Sequence, residues 1–165
     1  MSGHVYLVGM PGTGKTEVGK VVGERLGLAF VDLDAEVIAD AGRSVDEIFR
    51  REGEEGFRER ERHVLSGCAS GERSVIACGG GTVLDAENRA VIHSTGTVVF
   101  LETPLDVLAT RLDGFVEGRP LLEEPGALAE LFEERTPLYA EIADVQIDGE
   151  GPVASVADAV VEALG

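Results

Sequence analysis

The chain has 165 residues, 44% of them apolar and 27% charged, an ordinary globular composition that fits neither a disordered polymer nor a membrane protein. That length suits one compact domain with its own core, so residues 1–165 are read as a single domain. Thirty-one acidic residues against fourteen Lys and Arg leave a formal charge of −17, which opposes general attraction to nucleic acid or to anionic membranes.

The first residues show no basic region and no small-residue cleavage site, and no apolar run approaches the roughly 18 residues that span a bilayer. A cytoplasmic location is therefore expected, with neither nucleic acid nor membrane as partner; separately, the chain is read as a monomer, a reading that no feature of the sequence sets. Cys68 and Cys78 lack metal-ligand spacing and are read as two buried thiols in a reducing compartment. His4, His63 and His93 show neither ligand nor triad spacing.

Strand-like apolar runs alternate with amphipathic ones along the whole chain, the pattern of an α/β domain with a parallel sheet. Val5 to Val8 reads as the first strand. Lys15 to Leu26 reads as a helix, with Val18, Val22 and Leu26 on one face. Phe30 to Leu33 is a short second strand. Ser44 and Glu47 have capping-box spacing and open a helix, and a charged helical stretch runs from Glu54 to Ala69 after a break near Gly53 or Gly56.

Ser74 to Ala77 and Thr97 to Leu101 are buried-strand candidates on either side of a helix from Ala86 to His93. Pro104 starts another helix, to Leu112, at a position where its missing N–H costs nothing. Residues 113–126 hold three glycines and two prolines in no regular period, which marks them as a candidate lid. Ala127 to Ile142 is helical, Val145 to Ile147 a short strand, and Val153 to Leu164 a closing helix.

Gly9-Met10-Pro11-Gly12-Thr13-Gly14-Lys15-Thr16 fits G-x-x-x-x-G-K-[ST] between a strand and a helix. In that setting Gly12, Thr13, Gly14 and the residues up to Glu17 wrap phosphate oxygens with backbone N–H groups at a helix N-terminus. Lys15 reaches the β and γ phosphates of a nucleotide such as ATP, and the Thr16 hydroxyl meets Mg²⁺. The Asn-Lys-x-Asp guanine reader is missing and the strand before Thr103 does not end in Asp-Glu. A small-molecule kinase fits better than a GTPase or an AAA-type ATPase.

Asp32-Leu33-Asp34 ends the second strand, and alternation puts both carboxylates on one side of it, near the cradle. One Asp orients or deprotonates an acceptor hydroxyl and the other serves Mg²⁺; the alternative is a helix cap at Asp34 beside a solvated Asp32. Arg58 lies in Arg58-Glu59-Arg60-Glu61-Arg62, which also reads as a solvated helix face of paired charges. Arg135 is the only basic residue after position 119, among eleven acidic ones. Its planar fork suits a carboxylate better than a lysine would.

The cradle, Asp32-x-Asp34, Phe57-Arg58-x-x-Glu61, Gly79-Gly80-Gly81, Arg119-Pro120-Leu121-Leu122 and Arg135-x-Pro137-Leu138-Tyr139 occur in this order across essentially the whole chain. Together they resemble the shikimate kinase family. The resemblance implies a three-layer α/β/α P-loop fold with a five-stranded parallel sheet in the order 2-3-1-4-5, a mobile lid, an acceptor-binding region at 34–62, and MgATP-dependent phosphorylation of the 3-hydroxyl of shikimate.

By position, the resemblance makes Asp34 the hydroxyl-binding and proton-accepting group. Arg58 and Arg135 grip the carboxylate, Glu61 orients Arg58, and Gly79, Gly80 and Gly81 admit the ring. Asp32 meets Mg²⁺ beside Thr16, Arg119 closes onto the phosphates with Lys15, and Arg111 and Pro152 flank adenine. Other small P-loop kinases, for gluconate or nucleoside monophosphates, and a nucleotide-binding regulatory module are the rival expectations.

Overall fold

A computed structural model describes residues 2–112 and 126–165. The expected lid, apart from Gly126, and Arg119 with it, lie outside the described residues. Five parallel strands form one sheet in the order β2-β3-β1-β4-β5, with β1 His4–Val8, β2 Ala29–Asp32, β3 Ser74–Ala77, β4 Gly96–Glu102 and β5 Val145–Asp148. This is the order that the resemblance implies.

Central β1 is buried at every position, because it pairs on both sides and is covered on both faces. Tyr6 registers with Ile76 of β3 and Val98 of β4. The period of two sends Tyr6, Val8, Ile76, Val98 and Phe100 to one face, and Val5, Leu7, Val75, Val99 and Leu101 to the other. Helices α1 (Lys15–Leu26) and α7 (Val153–Ala163) cover the second face through Val18, Val22, Val156 and Val160. The first face is covered by Leu65, Ile92 and Tyr139, from α3 (Val45–Ala69), α4 (Ala86–Thr95) and α6 (Ala127–Ile142). Helix α5, Leu105–Leu112, follows Pro104 as expected and adds Leu108 to this core.

The second strand is one place where the structure departs from the sequence reading. The strand stops at Asp32, and helix α2, Leu33–Ala41, begins at once. Asp32 is its N-cap, accepting from the Ala35 N–H at 3.2 Å, a contact of about 1 kcal/mol. Asp32 and Asp34 therefore do not share a strand face: one caps the helix and the other sits in its first turn. The two thiols also differ, since Cys78 is buried and Cys68 only partly so; both are free.

The break expected near Gly53 or Gly56 falls at Gly53, with φ +72° and ψ −179° inside α3. The Ser44 hydroxyl accepts from the Glu47 N–H at 3.2 Å at the start of this helix, as its spacing predicts. His4 is buried in a structural role: the Ser74 N–H donates to Nδ1 at 3.2 Å, so Nε2 carries the proton that reaches the Ala69 carbonyl at 3.0 Å.

Gly53 occupies a backbone region essentially closed to other residues, while the space around it is open. Gly53→Ala should therefore lower the unfolding free energy in a urea titration by about 1–3 kcal/mol, through backbone strain alone. Gly67→Ala, at a helical position with equally open surroundings, should raise it by about 0.5–1 kcal/mol.

Candidate active site

The C-terminal ends of β1, β2 and β3 open onto one cavity of about 330 Å³, a size suited to a small ligand. The loop after β1 supplies Gly12, Gly14, Lys15, Thr16 and Glu17 to its wall. Gly14 is left-handed at φ +89°, which turns the loop directly into α1. Lys15 Nζ folds back over the loop and donates to the carbonyls of Gly9 and Met10 at 2.8 and 2.9 Å. The Thr16 hydroxyl donates to Asp32 Oδ2 at 3.0 Å, so Asp32 both caps α2 and ties it to the cradle.

Thr13 is buried beneath the loop, its N–H donating to the Met10 carbonyl, and does not line the cavity. Arg111 braces the outer flank of the cradle. Its guanidinium donates to the carbonyls of Gly12, Gly149 and Glu150 at 3.1, 3.0 and 2.9 Å. Pro152 stands at the N-cap of α7, close in sequence to those carbonyls. Neither Arg111 nor Pro152 lines the cavity.

Asp34, Arg58, Glu61, Gly79, Gly80 and Arg135 line the opposite side. The glycine turn is packed too closely to carry side chains. A methyl at Gly79 would stand 2.7 Å from Asp34 Oδ1, and one at Gly80 3.1 Å from Arg135 Nη1. At Gly81, which does not line the cavity, a methyl would collide with the Arg58 guanidinium. The Tyr139 hydroxyl donates to the Gly80 carbonyl, which fixes the turn against α6 one helical turn beyond Arg135.

The structure separates the three arginines that the sequence left as one charged face. Arg60 pairs with Glu52 and Asp40, and Arg62 with Asp85. Arg58 instead turns to the cavity wall and pairs with Glu61 at 3.1 Å. Arg135 is 3% exposed, and its Nε has no hydrogen-bond partner among the described residues. A buried guanidinium N–H is costly to leave unmet, and Arg135 also lines the cavity.

Glu61 is fully buried. Desolvation raises its carboxyl above the ordinary Glu range, opposed by Arg58 and by the Thr82 hydroxyl, which donates to Oε2 at 2.8 Å. Sequence reasoning missed Thr82, for which no spacing offers a signal. It also missed the apolar wall of Val45, Phe49 and Leu131. Phe49 packs on Phe57 at 5.1 Å between ring centroids, and only their eight-residue separation across the Gly53 break hinted at a shared face.

A Gly-x-x-x-x-Gly-Lys-Thr cradle after the central strand of a 2-3-1-4-5 parallel sheet defines the P-loop kinase class. A family model described as shikimate kinase matches residues 11–165. The shikimate kinase of Symbiobacterium thermophilum is 48% identical over 148 residues, covering 87% of this chain and 85% of that protein. The structure of the Acinetobacter baumannii shikimate kinase in complex with shikimate superposes with a TM-score of 0.94 at 36% identity, over 99% of this chain and 93% of the other. A gluconokinase from Sinorhizobium meliloti, at 19% identity and TM-score 0.55 over 98% of this chain and 95% of the other, shares the fold alone. The chain belongs to the shikimate kinase family.

Because burial raises the Glu61 carboxyl above its unfolded value, the native state holds that proton to higher pH than the unfolded chain does. The stability associated with Glu61 is therefore full below about pH 4.3, the unfolded Glu value, and falls as pH rises toward the folded one. Glu61→Gln removes this titration. Urea unfolding at a series of pH values should show its stability relative to the parent increasing with pH through that window. A difference that decreases with pH would contradict the assignment.

Proposed function

We infer that the protein transfers the γ-phosphoryl group of ATP to the 3-hydroxyl of shikimate, giving shikimate 3-phosphate and ADP on the route to chorismate and the aromatic amino acids. The observation that carries this reading is the convergence of Lys15 and Thr16 with Asp34, Arg58 and Arg135 on one cavity. A phosphate cradle faces a carboxylate and two arginines across a space sized for a small acid.

Arg58 and Arg135 grip the shikimate carboxylate as planar forks, with Glu61 orienting Arg58 through their 3.1 Å pair. Asp34, against Gly79, holds the acceptor hydroxyl and takes its proton as the oxygen attacks phosphorus. Gly79 and Gly80 let the ring approach the backbone, and Gly81 leaves room for the Arg58 guanidinium. Lys15 exchanges its loop carbonyls for phosphate oxygens when ATP fills the cradle, beside the backbone N–H groups of Gly12 to Glu17. In-line transfer then depends on positioning and charge stabilisation, with little covalent work left to the protein.

The Thr16 hydroxyl and the Asp32 carboxylate are hard oxygen donors 3.0 Å apart at the mouth of the cradle, and this donor set fits Mg²⁺ that keeps several waters. Thr16 would hold the ion directly and Asp32 through water; when bound, it neutralises phosphate charge. Arg111 and Pro152 flank the cradle where an adenine would emerge. A cytoplasmic monomer belongs to the same reading. The charge of −17 supports the absence of nucleic-acid and membrane partners, and no helix of the described residues is long and apolar enough to cross a membrane.

A coupled assay of ADP release, run in parallel with shikimate, gluconate and nucleoside monophosphates, separates the alternatives. Release that depends on shikimate alone is the expected result, whereas release with another acceptor, or with none, overturns the assignment. Asp34→Asn should lower kcat by about 10²–10⁴ with the KM for ATP unchanged. Arg135→Lys should raise the KM for shikimate about tenfold, since one bidentate grip becomes a point charge.

A further inference from the structure

Glu61 accepts one hydrogen bond on each carboxylate oxygen: Oε1 from Arg58 Nη1 at 3.1 Å and Oε2 from Thr82 Oγ1 at 2.8 Å. Thr82 is itself fixed from outside α3. Its N–H donates to the Gly79 carbonyl at 3.2 Å, and its carbonyl accepts from Nδ2 of buried Asn88 in α4 at 2.9 Å. Thr82 is fully buried and does not line the cavity. The position of its hydroxyl is thus set by the glycine turn and α4, independently of the helix that carries Arg58 and Glu61.

Arg58 has a second carboxylate within reach. Glu54 Oε2, one turn earlier on α3, lies 3.8 Å from Nη2, and its side chain is 49% exposed. Arg58 thus sits between two carboxylates, held by Glu61 through Nη1 and more loosely by Glu54 through Nη2, so weakening the first bond leaves the second to pull on it. Pairing with Glu61 holds it on the cavity wall, while pairing with Glu54 draws it toward solvent. A solvated carboxylate stays charged readily, but a buried one stays charged only while its oxygens are satisfied. With Thr82 removed, Oε2 would be left buried and unpaired near the like charge of Asp34. Protonating Glu61 would then relieve the site and leave Arg58 with a neutral partner, without the ion-pair attraction that a carboxylate supplies.

We propose that Thr82 is a positioning residue for the acid substrate: by donating to Glu61 Oε2 from a point fixed outside α3, it holds the Glu61 carboxyl against Arg58, and so holds the Arg58 guanidinium on the cavity wall rather than letting it swing to Glu54. The proposal rests on Arg58 being a ligand of the shikimate carboxylate. Among the described residues, the charged or titratable groups that act on Glu61 or feel it are Arg58 on α3, Asp34 on α2 and Cys78 after β3. Burial pushes the Glu61 carboxyl up, and Arg58 and the Thr82 hydroxyl hold it down. Removing the hydroxyl moves its titration, and the acid limb of activity toward shikimate, to higher pH.

The test compares Thr82→Val, which keeps the shape, Thr82→Ala, and Thr82→Ser, which keeps the hydroxyl. The readouts are the KM for each substrate across pH and the carbon-13 NMR titration of the Glu61 carboxyl. Val and Ala should raise the KM for shikimate about tenfold, the loss expected for a hydrogen bond to a charged group, and leave the KM for ATP unchanged. They should also shift the acid limb of kcat/KM for shikimate and the Glu61 titration upward together. Ser should restore both, and Glu54→Gln added to Thr82→Val should recover part of the KM by removing the competitor.

Wild-type Glu61 titration and shikimate KM in Val and Ala would overturn the proposal, as would a parallel rise of both KM values, which marks a packing role. Should Val fail to fold, Ala carries the test. The NMR titration needs no turnover, so it decides the Thr82–Glu61 link even if the parent enzyme does not use shikimate, a failure that the parent's own assay reveals.

Discussion

The site depends on β1 being hydrogen-bonded on both sides in a parallel sheet. Tyr6 registers with Ile76 and Val98, so β3 and β4 are held beside β1 with all their C-terminal ends at one edge. The Gly12–Thr16 loop, Asp32 and the Gly79–Gly81 turn emerge there as a consequence of strand direction. Burial of β1 on both faces makes that register hard to change: a one-residue slip would exchange Tyr6 and Val8 with Val5 and Leu7 between two different apolar clusters. The hydrophobic sheet thus sets the distance between cradle and acceptor wall, and the polar side chains refine it.

A chain of charge −17 that binds two anions faces an evident electrostatic conflict, and the geometry resolves it by distance. Surface carboxylates beyond a Debye length, about 8 Å at physiological salt, are largely screened. A cation at 4 Å from a ligand charge contributes about 4 kcal/mol at an effective dielectric of 20. Lys15, Arg58 and Arg135 all line the cavity, whereas Arg60 and Arg62 are committed to acidic neighbours outside it. Acidity therefore excludes extended polyanions and leaves three cavity cations, Lys15, Arg58 and Arg135, to meet small anions at contact range. Arg58 is held there against the pull of Glu54 by a buried carboxylate whose second oxygen is met by Thr82.

What the sequence made legible follows from how local the cause is. Helices α1, α6 and β3 match their expected bounds, because a glycine loop, an amphipathic period and a buried apolar run are local signals. The cradle, Asp34 and the triple glycine were legible as motifs, and Arg135 stood out as a lone cation in an acidic stretch. Helix α2 was not separated from its strand because Asp32 ends the strand and caps the helix in one residue, and alternation cannot show that double use. Arg58 could not be told from Arg60 or Arg62 by spacing, since its fate depends on Glu61 and Gly81, which only tertiary packing brings to it. The apolar wall around Phe49 and the Thr82 hydroxyl were hidden for the same reason.

Cradle, carboxylate and arginines together act on one acceptor at one oxygen. Phosphorus-31 NMR of the protein incubated with MgATP and shikimate tests it most directly. One new phosphomonoester resonance is expected, coupled to the proton on carbon 3 of the acid and growing in step with ADP. ADP that accumulates with inorganic phosphate alone, or a phosphoryl group on a different hydroxyl, would contradict it.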